Sequence, residues 1–563
     1  MPIQSRWKIA IPSVSLPTYL FTSPTAPLPT TPALISTAAP EAHFLTMSSY
    51  RLWSQRLALG LQKAGLQPGD RVLLYSGNTL FFPTVLMGVI MAGGIFTGAN
   101  PTYVARELAH QLRDSGARFL LCAESSLPTG LEAAASAGLP RDAVFAFDSG
   151  AATFEGRGAD VGAVRHWSAL LAGAAEAAAF AWAELSTAEE LGRPVALNYS
   201  SGTTGVPKGV TITHANYVAN CAQTAWLARL DPLYELRRAR SRYLCFLPMY
   251  HAMAQTLFCV SAPGHGVPVY LMPRFDFLGM LEAVQRFRIT DLVLVPPVVV
   301  TMAKHPATRT FDLSSVERVG SGAAPLGREV CAELETLWPE GKINVKQGWG
   351  MTEATCTVTT WEPNSISHSF SVGELAPNCE AKIVDDEVGL HEVKQGERGE
   401  LWVRAPNVMK GYWGRPEATR ETLTEDGWLR TGDIAYIDKE NKLFIVDRKK
   451  ELIKVKGIQV APAELEALLL DHPAVADAAV VGVTIKGEEA PRAYIVLNQE
   501  QKATAEDINA FMATRISKSK RLTGGVCFTD AIPKNPSGKI LRKILRDKAK
   551  AEVGDSDARE SRL

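Results

Sequence analysis

The sequence predicts an α/β chain of more than one domain, and three observations carry that expectation. With 563 residues and a mass of 61.0 kDa, it exceeds what one hydrophobic core organises, since chains split into domains beyond roughly 250–300 residues. From Leu66 onward, short apolar runs alternate with stretches of helical period, as layered α/β units require. Between Ser371 and Val446 the pattern changes to short alternating strands broken by Gly and Asn turns, the mark of a small barrel-like subdomain. Hydrophobic content of 46% with 21% charged residues is ordinary for a globular enzyme. Fifty-nine basic residues cancel fifty-nine acidic ones, which argues against a nucleic-acid binder. Eight cysteines without a Cys-x-x-Cys pair predict no disulfide framework and a reducing compartment, and ten histidines form no metal-binding motif.

Taken in order, residues 1–45 are rich in Pro, Ser and Thr and read as an extended arm on the first domain, without the layout of a signal peptide. Leu66-Gln-Pro-Gly-Asp-Arg-Val-Leu-Leu-Tyr75 reads as a turn into a buried strand. The apolar run Leu80–Ala99 holds Pro83, Gly88, Gly93, Gly94 and Gly98 and lacks basic anchors. It therefore reads as a buried helix and strand, not a membrane span. Residues 125–190 suggest surface helices and loops, and Arg229–Arg242 a solvated charged face. Asp291–Val300 reads as an apolar strand broken by Pro296-Pro297.

The richest chemistry lies in Tyr199-Ser-Ser-Gly-Thr-Thr-Gly-Val-Pro-Lys-Gly-Val210, between two strand-forming flanks. Gly202, Gly205 and Gly209 free the backbone to point N–H groups at one spot. Ser200, Ser201, Thr203 and Thr204 add hydroxyls, and Lys208 adds a mobile charge, an inventory suited to a polyphosphate. It is not a Walker loop, because Lys208 is followed by Gly209. Thr213 or Asn216 can cap the helix that follows.

This loop resembles the phosphate loop of acyl-adenylate-forming enzymes, which include acyl-CoA synthetases, peptide-synthetase adenylation domains and beetle luciferases. Within that superfamily the chain is most similar to the coumarate–CoA ligase branch. The resemblance implies a large N-terminal domain of two helix-flanked β-sheets plus the barrel-like subdomain, joined by a hinge to a small C-terminal α/β domain. Its boundaries would be an arm over 1–45, an adenylation domain over 46–447, a mobile lid over 448–550 and a tail over 551–563. ATP, Mg²⁺, coenzyme A and a small carboxylic acid are the implied reactants and cofactors.

Further motifs follow in the family's order. In Leu247-Pro-Met-Tyr-His-Ala-Met253, His251 ends an apolar strand and resembles the family's histidine beside the substrate carboxylate. Met253 stands where plant ligases often place tyrosine, and Leu257 matches another pocket position, so this part of the acyl pocket is apolar. Arg274 aligns with a CoA-phosphate contact that is usually lysine. In Ser321-Gly-Ala-Ala-Pro-Leu-Gly327, small residues let a flat ring lie against backbone. Gly322 would line the acyl pocket and Ala323 the adenine site. In Gln347-Gly-Trp-Gly-Met-Thr-Glu-Ala354, Gly348 and Gly350 permit close approach and Trp349 offers an aromatic face in place of tyrosine. Thr352 can donate to phosphate, Gln347 belongs to the nucleotide site, and Glu353 resembles the magnesium-associated carboxylate. Asp433, after the glycine turn of Gly427-Trp-Leu-Arg-Thr-Gly-Asp433, would accept from ribose hydroxyls.

Asp447-Arg-Lys-Lys-Glu-Leu-Ile-Lys-Val-Lys-Gly-Ile-Gln-Val460 matches the interdomain hinge. Arg448 would reach the ribose, Lys450 would lie at the hinge, and Gln459 would face the nucleotide. Lys454, Lys456 and Gly457 match positions used around the adenylate and the incoming CoA. Helices over Ala463–Leu470 and Ala505–Ile516, with strands over Val475–Val483 and Ala493–Leu497, make the small domain mixed α/β. Pro533-Lys-Asn-Pro-Ser-Gly-Lys539 presents a lysine on a rigid loop, and Lys539 matches the family's catalytic lysine. The terminal Ser561-Arg562-Leu563 resembles a peroxisomal address and implies an import receptor as partner, with arginine in place of lysine.

The implied chemistry makes the substrate carboxylate the nucleophile toward the α-phosphate of ATP, and the chain has no Gly-x-Ser-x-Gly elbow. Catalysis then reduces to positioning and charge stabilisation. Rotation about the hinge would exchange Lys539 for the Lys454–Gly457 face before the thiol attacks. A carboxylate–CoA ligase acting on an aryl or medium-chain aliphatic acid is the expected function. The rivals are an adenylation enzyme serving a carrier protein, a luciferase-like oxygenase, and a nucleotide-binding scaffold without turnover. A scaffold would not need Glu353, Asp433, Arg448 and Lys539 together.

Overall fold

The computed structural model describes residues 2–148, 150–156, 158–200, 207–385, 391–455, 458–485, 488–498, 501–536 and 538–560. Its large domain contains two wide sheets. In the first, the strands Pro194–Ser200, Ile95–Ala99, Arg71–Tyr75, Ala117–Ala123, Val144–Phe147 and Arg165–His166 run parallel side by side. Lys208–Thr213 returns antiparallel to Pro194–Ser200, and Gly411–Tyr412 adds to its outer edge. The second sheet runs Lys346–Gln347, Arg318–Ser321, Asp291–Leu294, Tyr243–Cys245, Val269–Leu271, Pro32–Ser36 and Phe44–Thr46, parallel except at the last strand. One continuous core lies between the sheets and their helices. It includes Phe82–Met91, a helix buried along its whole length, as a run with Thr84 as its one polar side chain must be.

The α/β fold with a large N-terminal domain and a small C-terminal one is as the sequence predicts. The strand pair flanking the glycine-rich loop forms, with Thr213 capping the helix His214–Ala228 and Asn216 returning the bond to the cap. A third, all-antiparallel sheet orders Ile3–Gln4, Glu380–Val384, Gly399–Arg404, Leu429–Ile437 and Leu443–Arg448.

Three readings need correction. The first 45 residues are more than an arm, since Ile3–Gln4, Pro32–Ser36 and Phe44–Thr46 are strands in two different sheets. Within 125–190, Val144–Phe147 and Arg165–His166 complete the first sheet. Pro296 and Pro297 do not simply break a strand; they open the helix Pro296–Lys304, occupying the first turn where a missing N–H costs nothing.

The small domain has a hairpin of Ile453–Val455 with Ile458–Val460, and a three-stranded sheet of Val475–Ile485, Glu488–Leu497 and Val526–Phe528. Helices Pro462–Leu470, Ala505–Ala513 and Arg542–Glu560 accompany these strands. Ile453 and Val460 already belong to this domain's own core, so its packing starts at the hairpin. Among the described residues no helix is long and apolar enough to cross a membrane.

Candidate active site

The site lies where the strand ends of the large domain meet the third, antiparallel sheet, an open sheet and not the expected barrel, and the Lys539 loop. Asp433 and Arg448 are directly opposed on antiparallel strands, with Arg448 Nε 3.1 Å from Asp433 Oδ1. The other carboxylate oxygen accepts from Trp349 Nε1 at 2.9 Å. One buried carboxylate thus fixes both an aromatic plane and a guanidinium. Asp433 is the main cause of Arg448's pKa being raised.

Trp349 is held by its backbone as well. Its N–H donates to Thr359 Oγ1 at 2.9 Å, and its carbonyl accepts from Val358 and Thr359. Gly350 is required beside it, because a Cβ there would stand 1.7 Å from the carbonyl oxygen of Cys356. Ala323 occupies the left-handed region at φ 74°, a strained conformation of the kind found at ligand sites. Gly322 brings backbone close to Met253 and Gly348: a Cβ there would lie 3.6 Å from Met253 Sδ and 3.6 Å from the carbonyl of Gly348. Met253 and Leu257 pack half-buried against the core, and Gln255–Ser261 forms a wide π-helical stretch, a feature common near functional sites.

Lys539 enters this group from the small domain on a loop braced by its own N–H to Asn535 Oδ1 at 2.9 Å. Burial lowers its pKa to about 8, assisted by Arg448 and opposed by Asp433, Glu353 and Glu451. His251 is pushed down to about 4 by burial and by Lys539, so its ring is neutral at ordinary pH. The large domain's carboxylates and the small domain's lysine therefore share one site.

Glu353 is buried, and its Oε1 accepts from the Tyr412 hydroxyl at 3.0 Å. Tyr412 lies opposite Val210 on the strand leaving the glycine-rich loop, and Lys208 Nζ sits 5.0 Å from its ring centroid. This tyrosine links the loop lysine to the Glu353 carboxylate and was missed from sequence. Its signal was the Gly411-Tyr-Trp-Gly414 turn after a basic residue. The loop's stem is clamped further by Tyr199, whose hydroxyl donates to Asp114 Oδ2 at 2.8 Å while Arg415 pairs with the same carboxylate.

The remaining expected residues are placed as follows. The Gln347 side chain is spent on the backbone of Leu326, accepting at 3.0 Å and donating at 2.9 Å, so it braces the Ser321–Gly327 loop and is not free to read a base. Lys454 is exposed on the hairpin opposite Gln459, its N–H bonded to Glu489 at 2.7 Å. Arg274 and Lys450 are exposed, and Thr352 starts a short 3₁₀ turn beside Glu353. Ser200 ends its strand at the loop. Ser201, Gly202, Thr203, Thr204, Lys456, Gly457 and Ser561–Leu563 lie outside the described residues.

Two α/β lobes that close a nucleotide-type site, with a lysine delivered from the smaller lobe, define an adenylating class of enzyme. The family model described as AMP-binding enzyme matches residues 24–413, and that of the AMP-binding enzyme C-terminal domain matches 464–539. The chain belongs to the AMP-binding enzyme family, as an acyl-CoA synthetase. It is 38% identical over 503 residues to the phenylacetyl-CoA ligase epaB of Aspergillus niger, covering 88% of this chain and 89% of that one. It is 37% identical over 525 residues to 4-coumarate–CoA ligase 2 of Petroselinum crispum, covering 91% and 90%. Among solved structures, ATP-bound MatB from Rhodopseudomonas palustris superposes with a TM-score of 0.79 at 25% identity, over 96% of this chain and 99% of that one.

Proposed function

We propose that this chain activates an aryl carboxylic acid of the cinnamate or phenylacetate kind, or a medium-chain aliphatic acid, and transfers it to coenzyme A. The observation that carries the reading is Lys539, delivered by the small domain, within electrostatic reach of Glu353, Asp433, Arg448 and His251 of the large one. The relatives named for phenylacetyl and coumaroyl ligation support the aryl choice, and the apolar Met253 and Leu257 favour a ring without a phenolic hydroxyl beside them.

In the first step the carboxylate oxygen attacks the α-phosphorus, the α–β bridging bond breaks, and pyrophosphate leaves with the electron pair. The Lys539 ammonium offsets charge gathering between carboxylate and α-phosphate, while the neutral His251 orients the acid without neutralising it. Asp433 accepts from the ribose, and Arg448 and Trp349 keep Asp433 in place. In the second step a thiol attacks the acyl carbonyl, its proton passes to solvent, and AMP leaves.

Magnesium fits this site as an ion held mostly by phosphate and water. Among the described residues no group of three ligating side chains could hold a metal alone, whereas Glu353 offers one buried carboxylate with an oxygen left by Tyr412. When bound, the ion would neutralise phosphate charge. The terminal Ser561-Arg562-Leu563 supports a proposal of peroxisomal import, tested by fusing the last twelve or so residues to a fluorescent reporter.

The test is pyrophosphate release from ATP with cinnamates, phenylacetate, benzoates and C6–C16 fatty acids, followed by supply of CoA, a holo-carrier protein or oxygen. Release with an aryl acid and thioester only with CoA is expected. Activity only with the carrier would favour a role in secondary metabolism, and no release with any acid would favour a scaffold.

A further inference from the structure

The helix Pro296–Lys304 meets the small domain at both ends. At its start, the Lys539 loop lies so close that a Cβ on Gly538 would be 3.2 Å from Pro297 Cγ and Cδ and from Val295 Cγ2. At its end, Lys304 Nζ donates to the carbonyl of Leu470 at 2.5 Å and to that of Val475 at 2.9 Å. Both acceptors belong to the small domain. Leu470 closes the helix Pro462–Leu470, whose last carbonyls have no partner within the helix and form the negative end of its dipole. A cation from the large domain therefore caps a helix of the small one.

We propose that Lys304 is a positioning residue that holds the small domain where Lys539 reaches the acyl-phosphate site. The inference rests on the two-step reading above. Three features single out this contact. Both hydrogen bonds cross the domain boundary and can exist only while the small domain is docked in this orientation. The ammonium is half-buried, and burial lowers its pKa with Glu333 and Asp471 opposing, so it gives up hydration to make the contact. The same nine-residue helix, roughly 13 Å long, carries the Pro297 face against which Gly538 rests, so gripping its far end fixes the loop at its near end. When the small domain turns away, Lys304 loses both carbonyls and regains water, so the contact weights the equilibrium without locking it. A cleft of about 880 Å³, lined by Glu329, Glu333, Asp471 and Arg515, flanks the contact.

The experiment uses the full-length protein with Lys304→Met, which keeps the apolar stem, and Lys304→Arg, which keeps two donors. Adenylation is read as pyrophosphate release. The thioester step is read from presynthesised acyl-adenylate and CoA, and domain position from a spin-label pair at the exposed Glu282 and Glu506. For Lys304→Met the expectation is about tenfold slower adenylation, the scale of losing a charged hydrogen bond. The thioester step should be unchanged or faster, and the label distances shifted from the docked value. Lys304→Arg should restore all three. Equal loss in both steps, or an undisturbed label distance in Lys304→Met, would overturn the proposal. If the unaltered protein makes no thioester, the two-step reading fails, and the label distances alone still decide the role of Lys304.

Discussion

Asp433 and Arg448 face each other across two antiparallel strands with 3.1 Å between Oδ1 and Nε, and Trp349 donates to the same carboxylate at 2.9 Å. The ion pair is therefore set by strand register, and Trp349 joins it from the loop that follows Lys346–Gln347. Asp433→Asn should weaken AMP binding at least tenfold, since it removes the ion pair and leaves Arg448 without its main partner; hydrogen bonds to charged groups contribute about 1.5–3 kcal/mol. Trp349→Phe keeps a ring but loses the N–H donor and should cost less. Equilibrium binding of AMP to both variants, with circular dichroism to confirm folding, checks the order.

Tyr412→Phe should leave the fold intact and raise the magnesium concentration needed for half-maximal adenylation about tenfold, because only the hydroxyl bond to Glu353 is removed. Tyr412→Leu also removes the ring beneath Lys208 and should additionally weaken ATP binding measured without metal. Titration of the metal and of ATP separately tells the two effects apart.

The pH dependence follows from Lys539, whose pKa lies near 8 against an ordinary 10.5. Its ammonium is the active form, so kcat/KM for adenylation should fall as pH rises through about 8. Bound phosphates favour the charged form, so the limb in kcat should lie higher. Stability runs the other way. Between about 8 and 10.5 the unfolded chain holds the proton more tightly, so this group makes folding more favourable as pH rises across that window. His251, already neutral above about 4, should add no inflection near 6.5. Rate profiles from pH 5 to 10 test the two limbs and the missing His251 inflection, and denaturant unfolding from pH 7 to 11 tests the stability statement.

Gly538→Ala should slow adenylation and spare the thioester step. Its φ of 80° disfavours a side chain by about 1–2 kcal/mol, and the new methyl would press on Pro297 in the docked state. Gly396→Ala is the matched control, with φ 92° and nothing within 4 Å of its Cβ, and should cost stability alone. Comparing the two half-reactions in both variants isolates the docking effect.

What could be read from sequence divides along local and distant lines. The Lys208–Thr213 strand, the Thr213 cap and the Phe82–Met91 helix follow from period and capping chemistry within a few residues. Pro296-Pro297 was misread because proline ends a strand and begins a helix with the same signal, and only the following Val-Val-Val-Thr-Met run distinguishes them weakly. Val144–Phe147 is four residues long, and pairing with Ala117–Ala123 makes it a strand. At the site, residues in glycine-rich motifs stood out, whereas Tyr412 and Lys304 acquire meaning only from partners 59 and 166 residues away. Gln347 shows the converse: a residue inside a strong motif whose side chain serves the backbone of Leu326.

The central claim is that Lys539 serves acyl-adenylate formation and not thioester formation. Assaying Lys539→Ala in the two half-reactions separately tests it most directly. The account requires pyrophosphate release to fall by two orders of magnitude or more, on the order expected for losing preorganised charge stabilisation, while CoA still consumes presynthesised acyl-adenylate at close to the normal rate. Equal loss in both half-reactions would contradict it.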